Sequence, residues 1–234
     1  MVDIKTNLAN KANYGRSRDT SSIKYIVVHY TGNDGDTDEN NGKYFKNNVT
    51  KTSAHYFVDD DSVTQSVPDN YIAYHCGTTG KYKHSSCRNS NSIGVEICDD
   101  VKNGTVYPSA ATIANAVELV KHLMDKYKVP AANVIRHYDV TGKLCPAYWC
   151  GTAAKNEKWK TEFWNKLGES APSASYMVRV TASLLNVRKG PGTGYGINTT
   201  IRKGGVYTIV EESNGWGKLK SGAGWIKLSY TTKV

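Results

Sequence analysis

The chain has 234 residues, 39% of them hydrophobic and 10% aromatic, with a formal net charge of +9. That length fits two unequal domains better than one, and polar residues interspersed with periodic apolar ones exclude a disordered chain. No stretch approaches the roughly 18 apolar residues of a membrane span, and Met1 to Leu8 lacks the apolar core of a secretion signal, so a soluble chain without membrane insertion is expected.

In chain order, Ile23 to Tyr30 is an apolar β-rich run of the kind a buried strand shows. Ala54 to Val58 and Ser62 to Val67 form a predicted hairpin around Asp59-Asp60-Asp61, and Ser92 to Cys98 a further strand. Apolar residues at 113, 116, 117, 120, 123, 124 and 127 have helical spacing, with Pro130 just beyond. Asn156 to Leu167, with Trp159, Phe163 and Trp164, predicts a closing amphipathic helix. The sum is an α/β domain, a mixed sheet flanked by helices, over residues 1–167.

The small and polar run from Gly168 to Ser175 reads as a linker. Beyond it, over 176–234, Val206 to Val210, Gly215 to Leu219 and Gly224 to Leu228 are short alternating segments with glycine turns, which predict a small all-β barrel. Residues 176–234 carry nine Lys or Arg and two acidic residues, whereas 1–175 carry 21 and 19. The excess positive charge therefore sits on the small domain and favours polyanions; a merely solubilising basic surface is the plainer alternative.

Five cysteines, Cys76, Cys87, Cys98, Cys145 and Cys150, are an odd number in a chain without a secretion signal, so free thiols are expected rather than a disulfide framework. Cys145 stands apart. With His29, at the end of the first apolar strand, and His137 it offers two imidazoles and a thiolate. Three such ligands leave a fourth tetrahedral position for water, the catalytic rather than the structural zinc pattern. Cys150 has no partner pair at finger spacing, so a structural zinc finger is not expected.

Five motifs then occur in one order: Tyr25-Ile26-Val27-Val28-His29-Tyr30-Thr31, Ser53-Ala54-His55-Tyr56-Phe57-Val58-Asp59, Asn91-Ser92-Ile93-Gly94-Val95-Glu96, Arg136-His137-Tyr138-Asp139 and Lys143-Leu144-Cys145-Pro146. With them the sequence resembles the zinc-dependent N-acetylmuramoyl-L-alanine amidases of the phage-lysozyme and peptidoglycan-recognition superfamily, the endolysins of phages infecting Gram-positive bacteria above all. The resemblance implies Zn2+ held by His29, His137 and Cys145, a catalytic glutamate at Glu96 and a catalytic lysine at Lys143. It places His75, in Ala73-Tyr74-His75-Cys76-Gly77, on a pocket-lining loop that touches substrate. Some relatives carry a tyrosine near the metal where this sequence has Ala54 or His55, so that role is given to no residue. His55 reads equally as a substrate-lining residue and as a packed strand histidine.

Leu185 to Tyr195, followed by Gly215-Trp216 and Gly224-Trp225-Ile226, resembles the bacterial SH3-like wall-binding modules. Tyr195, Trp216 and Trp225 offer flat aromatic faces, with core packing the default for Trp225. Together the two resemblances imply a peptidoglycan hydrolase that cuts the amide between N-acetylmuramic acid and L-alanine. Its partners would be peptidoglycan and anionic wall polymers, and not nucleic acid. An endolysin would stay in the host cytoplasm until released at lysis. A bacterial autolysin of the same activity, or a non-catalytic peptidoglycan-binding protein, are the alternatives; relatives that only bind commonly lose the cysteine that is present here.

Overall fold

The computed structural model describes residues 3–77, 82–168, 175–213 and 215–234. The chain divides after Gly168 into two compact units. Most of the segment read as a linker, residues 169–174, lies outside the described residues.

The first unit contains β1 (Ile4–Thr6), β2 (Tyr14–Ser17), β3 (Tyr25–Tyr30), α1 (Asp38–Asn47), β4 (Tyr56–Val58), β5 (Val63–Gln65), β6 (Tyr71–Ala73), β7 (Ser92–Ile97), α2 (Ala110–Tyr127), β8 (Val134–Arg136) and α3 (His137–Thr141). Six of the strands form one mixed sheet in the order β1-β5-β4-β7-β3-β8, while β2 and β6 pair separately. The run β4-β7-β3-β8 is parallel throughout, and the hairpin of β4 and β5 supplies the antiparallel step.

Alternation along the strands divides the sheet into two faces with different content. Ile26 and Val28 of β3, Ile93, Val95 and Ile97 of β7, and Tyr56 and Val58 of β4 join Ile113, Ala116, Val117, Val120 and Leu123 of α2 in the main core. Val27, one step out of phase, belongs to a separate cluster with Cys76, Cys87 and Val140. His29 has the phase of Val27, so it lies on the face that α2 leaves uncovered.

Helix α2 starts where Ser109 accepts the Thr112 amide as N-cap and ends at Lys128, whose φ of 53° is left-handed. The closing helix begins earlier than its aromatic spacing suggests. α4 (Ala153–Lys158) is capped by Thr152, widens into π turns over Trp159–Trp164, and ends as α5 (Asn165–Gly168). Trp159 and Phe163 stack at 5.0 Å, and both lie against Trp149. All five cysteines are free and buried.

The second unit contains β9 (Tyr176–Val180), β10 (Leu184–Arg188), β11 (Ile197–Arg202), β12 (Val206–Ser213), β13 (Trp216–Leu219), β14 (Trp225–Lys227) and β15 (Thr231–Lys233). They form one antiparallel sheet, ordered β11-β10-β14-β13-β12-β9-β15, around a core of Val178, Val180, Leu185, Val187, Ile209, Leu219 and Ile226. Gly224 joins β13 to β14 with a φ of 130°, and a Cβ there would sit 2.3 Å from the Arg188 carbonyl oxygen. Gly224→Ala therefore adds both strain and a backbone clash, about 3 kcal/mol of destabilisation. Hydrogen exchange on the full chain should show faster exchange in β10 and β14 with β3 and β7 unchanged; equal protection in β10 and β14 would show that the turn can relax.

Candidate metal centre and active site

The site is built at the carboxyl ends of three adjacent parallel strands, where open α/β sheets place their ligands. The register sets His29 of β3 beside Glu96 of β7. On the other side of β3, Val28 pairs with Arg136, the last residue of β8, and His137 follows directly as the first residue of α3. Arg136 fixes that junction. Its guanidinium binds both Asp139 oxygens, the Trp149 carbonyl and Asn156 Oδ1, while its amide donates to Asp139 Oδ2. After α3 the chain folds back, the Tyr138 amide donating 3.0 Å to the Cys145 carbonyl. Residues 29, 96, 137 and 145 thus converge.

The donor atoms of His29, His137 and Cys145 lie within 4.8 Å of one another, and all three side chains are buried. His29 Nδ1 faces the Cys145 sulfur at 3.8 Å. His137 Nδ1 is buried without a hydrogen-bond partner among the described residues, as is Glu96 Oε2. Burial, followed by the charges of His75, His137 and Lys143, holds His29 well below the usual histidine range. Burial, then Lys143, lowers His137 to about 4. Both imidazoles are therefore neutral at neutral pH, the form that ligates a metal. Burial, reinforced by Glu96, pushes the Cys145 thiol up, and burial raises Glu96 to about 8 although Lys143 pulls it down.

These groups line an open cleft of about 420 Å³ together with Tyr30, Thr31, Ser53, Tyr74, Leu144 and the exposed Lys143. A second cavity of about 500 Å³ shares Thr31, Phe45 and Glu96 with it and is lined by Asn33, Asp36, Asn40 and Tyr44. The sequence did not single out these residues, because each is an ordinary loop or helix polar group until the sheet places it beside Glu96.

His75 lines the cleft, but both of its ring nitrogens are engaged by protein, Nδ1 with His29 and Nε2 with Ser92. His55 is a different case. It is 0% exposed and does not line the cleft; its Nδ1 accepts from the Gly94 amide and its Nε2 faces the Tyr71 carbonyl. Arg18 also lies 3.0 Å from Nε2, but with Nδ1 accepting, Nε2 carries the proton, so the carbonyl is the partner that satisfies it. Of the two readings of His55, the packed histidine is the one this geometry supports, since substrate cannot reach a fully covered ring.

In the second unit, Trp225 is 8% exposed and packs, whereas Tyr195 is 52% exposed. A cavity of about 290 Å³ is lined by Leu184, Arg188, Trp216, Lys227 and Tyr230.

Residues 19–148 match the family described as N-acetylmuramoyl-L-alanine amidase, and residues 183–232 match the bacterial SH3 domain. The N-acetylmuramoyl-L-alanine amidase CwlL of Bacillus licheniformis is 31% identical over 202 residues, 82% of this chain and 54% of that protein. The N-acetylmuramoyl-L-alanine amidase CwlA of Bacillus subtilis (strain 168) is 35% identical over 148 residues, 62% of this chain and 51% of its own. The chain thus spans about half the length of the curated relatives it matches. A solved structure described as a mutant endolysin from Bacillus subtilis shares 32% identity with a TM-score of 0.58, covering 72% of this chain and 100% of that one. The first match takes in more than half of the sequence and every residue of the strand-end cluster, so the chain belongs to the N-acetylmuramoyl-L-alanine amidase family, with a bacterial SH3 domain following.

Proposed function

We propose that the chain is a zinc-dependent peptidoglycan hydrolase that cleaves the amide between the lactyl group of N-acetylmuramic acid and L-alanine of the stem peptide. The observation that carries this reading is the buried His29, His137 and Cys145 triad beside an unpartnered Glu96 oxygen. The residues suit zinc. A tetrahedral centre with bonds of about 2.0–2.3 Å separates neighbouring nitrogen and sulfur donors by roughly 3.6 Å, and His29 Nδ1 and Cys145 Sγ stand 3.8 Å apart. The orphaned His137 Nδ1 has the same explanation, since a buried nitrogen without a partner costs about 1–3 kcal/mol that a ligand would recover.

Zinc held there would polarise the scissile carbonyl and make water nucleophilic near neutral pH. Glu96 takes the proton of the attacking water on its unpartnered Oε2, and burial, which raises the carboxyl above its ordinary range, makes its ionised form a stronger proton acceptor. Lys143, exposed at the rim of the cleft, sets its ammonium against the oxyanion that develops on the amide. Mass spectrometry of digested peptidoglycan tests the reaction. New N-terminal alanine with intact glycan strands is expected, and new reducing sugar ends would defeat it.

We divide the work as 1–167 catalytic, 168–175 connector and 176–234 wall-binding, a reading supported by the separate core of the second unit and by its match to the bacterial SH3 domain. The neighbour described as an endolysin supports a lytic role against a Gram-positive wall; a cell-encoded autolysin would use the same chemistry. Among the described residues no helix is long and apolar enough to cross a membrane. The +7 balance of 176–234 adds attraction to anionic wall polymers. Its binding to purified walls should weaken as salt rises, because the Debye length falls from about 10 Å at 0.1 M to about 3 Å at 1 M. Sedimentation with walls at the two salt concentrations measures the effect; a salt-independent bound fraction would remove the electrostatic part.

A further inference from the structure

The direction of every hydrogen bond behind His29 can be worked out from one carbonyl. The Ser92 hydroxyl lies 2.7 Å from the Arg88 carbonyl oxygen, and a carbonyl only accepts, so the single hydroxyl proton is committed there. Ser92 Oγ is also 3.0 Å from His75 Nε2. Oγ must accept in that contact, which puts the His75 proton on Nε2. With its proton held on Nε2, His75 offers Nδ1 as an acceptor 3.0 Å from His29 Nε2, so His29 donates through Nε2. What remains is His29 Nδ1, unprotonated and turned toward the Cys145 sulfur. The thiol of Cys76, 3.8 Å from Ser92, does not compete, because it faces Asn89 Oδ1 at 3.3 Å.

His75 is seated for this contact from three sides. Asn89 Oδ1 accepts the amides of His75 and Cys76. The ring lies on the bare backbone of Gly94, where an added Cβ would come 2.6 Å from His75 Cγ. His55 packs edge-on behind it, ring centroids 5.7 Å apart, while its own Nδ1 holds the Gly94 amide.

We propose that His75, aligned by Ser92 and Gly94, is a positioning residue that locks His29 in the Nε2–H tautomer and so presents Nδ1 to the metal. The inference rests on the zinc reading given above. It assigns His75 to the ligand's support rather than to substrate hydrogen bonding, and it gives Ser92, the first residue of β7, a role beyond the strand. Outer partners of this kind typically change metal affinity 10–100-fold.

The test uses the full chain, with zinc affinity measured by chelator competition and histidine tautomers read from side-chain nitrogen NMR of the metal-free protein. In the unmodified chain His29 should show the Nε2–H form. His75→Leu should lower zinc affinity about 10–100-fold, and Ser92→Ala should redistribute the His29 tautomer with a loss on the order of 10-fold. His75→Asn keeps an acceptor near the place of Nδ1 and should restore most of the affinity, which a purely space-filling role would not do. Gly94→Ala should resemble His75→Leu by displacing the ring. Folded His75→Leu and Ser92→Ala chains that bind zinc as tightly as the original would overturn the proposal, as would His29 in the Nδ1–H form. A chain that takes up no zinc at all would instead sink the metal reading, and the tautomer spectrum would still decide the relay.

Discussion

Glu96→Gln is expected to lower hydrolysis of soluble muropeptide on the order of 100-fold or more while leaving the fold and the zinc content intact. Glu96 points from β7 onto the face that α2 leaves free, beside His29 in register, and its Oε2 has no protein partner. An oxygen buried without a hydrogen bond is a standing cost, so Gln, which is isosteric, should not harm packing and removes only the ability to take a proton. The same substitution carries a pH signature in the metal-free chain. Burial raises the carboxyl from its ordinary 4.5 to about 8, so the folded form binds the proton more tightly than the unfolded form. The associated stability is present below pH 4.5 and is lost as pH rises toward 8. Urea titrations from pH 5 to 9 should therefore show Glu96→Gln gaining on the original chain as pH rises. A variant with near-normal turnover would make Glu96 structural, and parallel pH curves would show that its carboxyl is solvated after all.

Removing the metal should abolish activity, and Cys145→Ser should reduce the zinc content measured by elemental analysis far below one per chain. Sulfur is the softest of the three donors and the one a hydroxyl imitates least well, since serine does not ionise near neutral pH. The surroundings sharpen the effect. His29 and His137 would be left as two neutral imidazoles in a buried pocket, with His137 Nδ1 again unpartnered. Chelator treatment of the original chain followed by added zinc should restore hydrolysis, whereas the Cys145→Ser chain should not recover at the same zinc concentration. Full metal content in that variant would remove Cys145 from the ligand set; activity that survives exhaustive chelation, with no zinc detected, would end the metal reading.

What could be read from the sequence follows how strongly each feature depends on local pattern. The strand through Ile26-Val27-Val28 and the stripe of α2 are visible because burial imposes a regular apolar spacing. Helix α1 is not visible. It reads DENNGKYFKN, and what it buries is Asp38, Asn41 and Gly42. Asp38 is tolerated there because Ser62 and Thr64 donate to it, a partnership 24 and 26 residues away that no window reveals. In the second unit, β11 is exposed along most of its length and so leaves no alternation to detect. The candidate metal donors His29, His137 and Cys145 could be named from residue type and motif, whereas the sequence offered both His55 and His75 as substrate-lining residues. Both lie just outside short strands, and only the fold covers His55 completely, with its Nδ1 on the Gly94 amide, while bringing His75 to the cleft.

The two-faced character of β3 and β7 has a consequence for how such a protein can change over evolutionary time. Residues 26, 28, 93, 95 and 97 point into the core with α2, whereas 29 and 96 line the cleft, adjacent in sequence but on the other side of the backbone. Selection for a sturdier enzyme and selection for a different chemistry would therefore act on interleaved, nearly independent sets of positions. A lineage can rework one set while the other is held fixed, and drift in thermal tolerance need not erode the reaction. At the carboxyl ends of these two strands tolerance to substitution should beat with a period of two, alternate positions failing for opposite reasons: one set because the chain no longer folds, the other because a well-folded chain has lost its site.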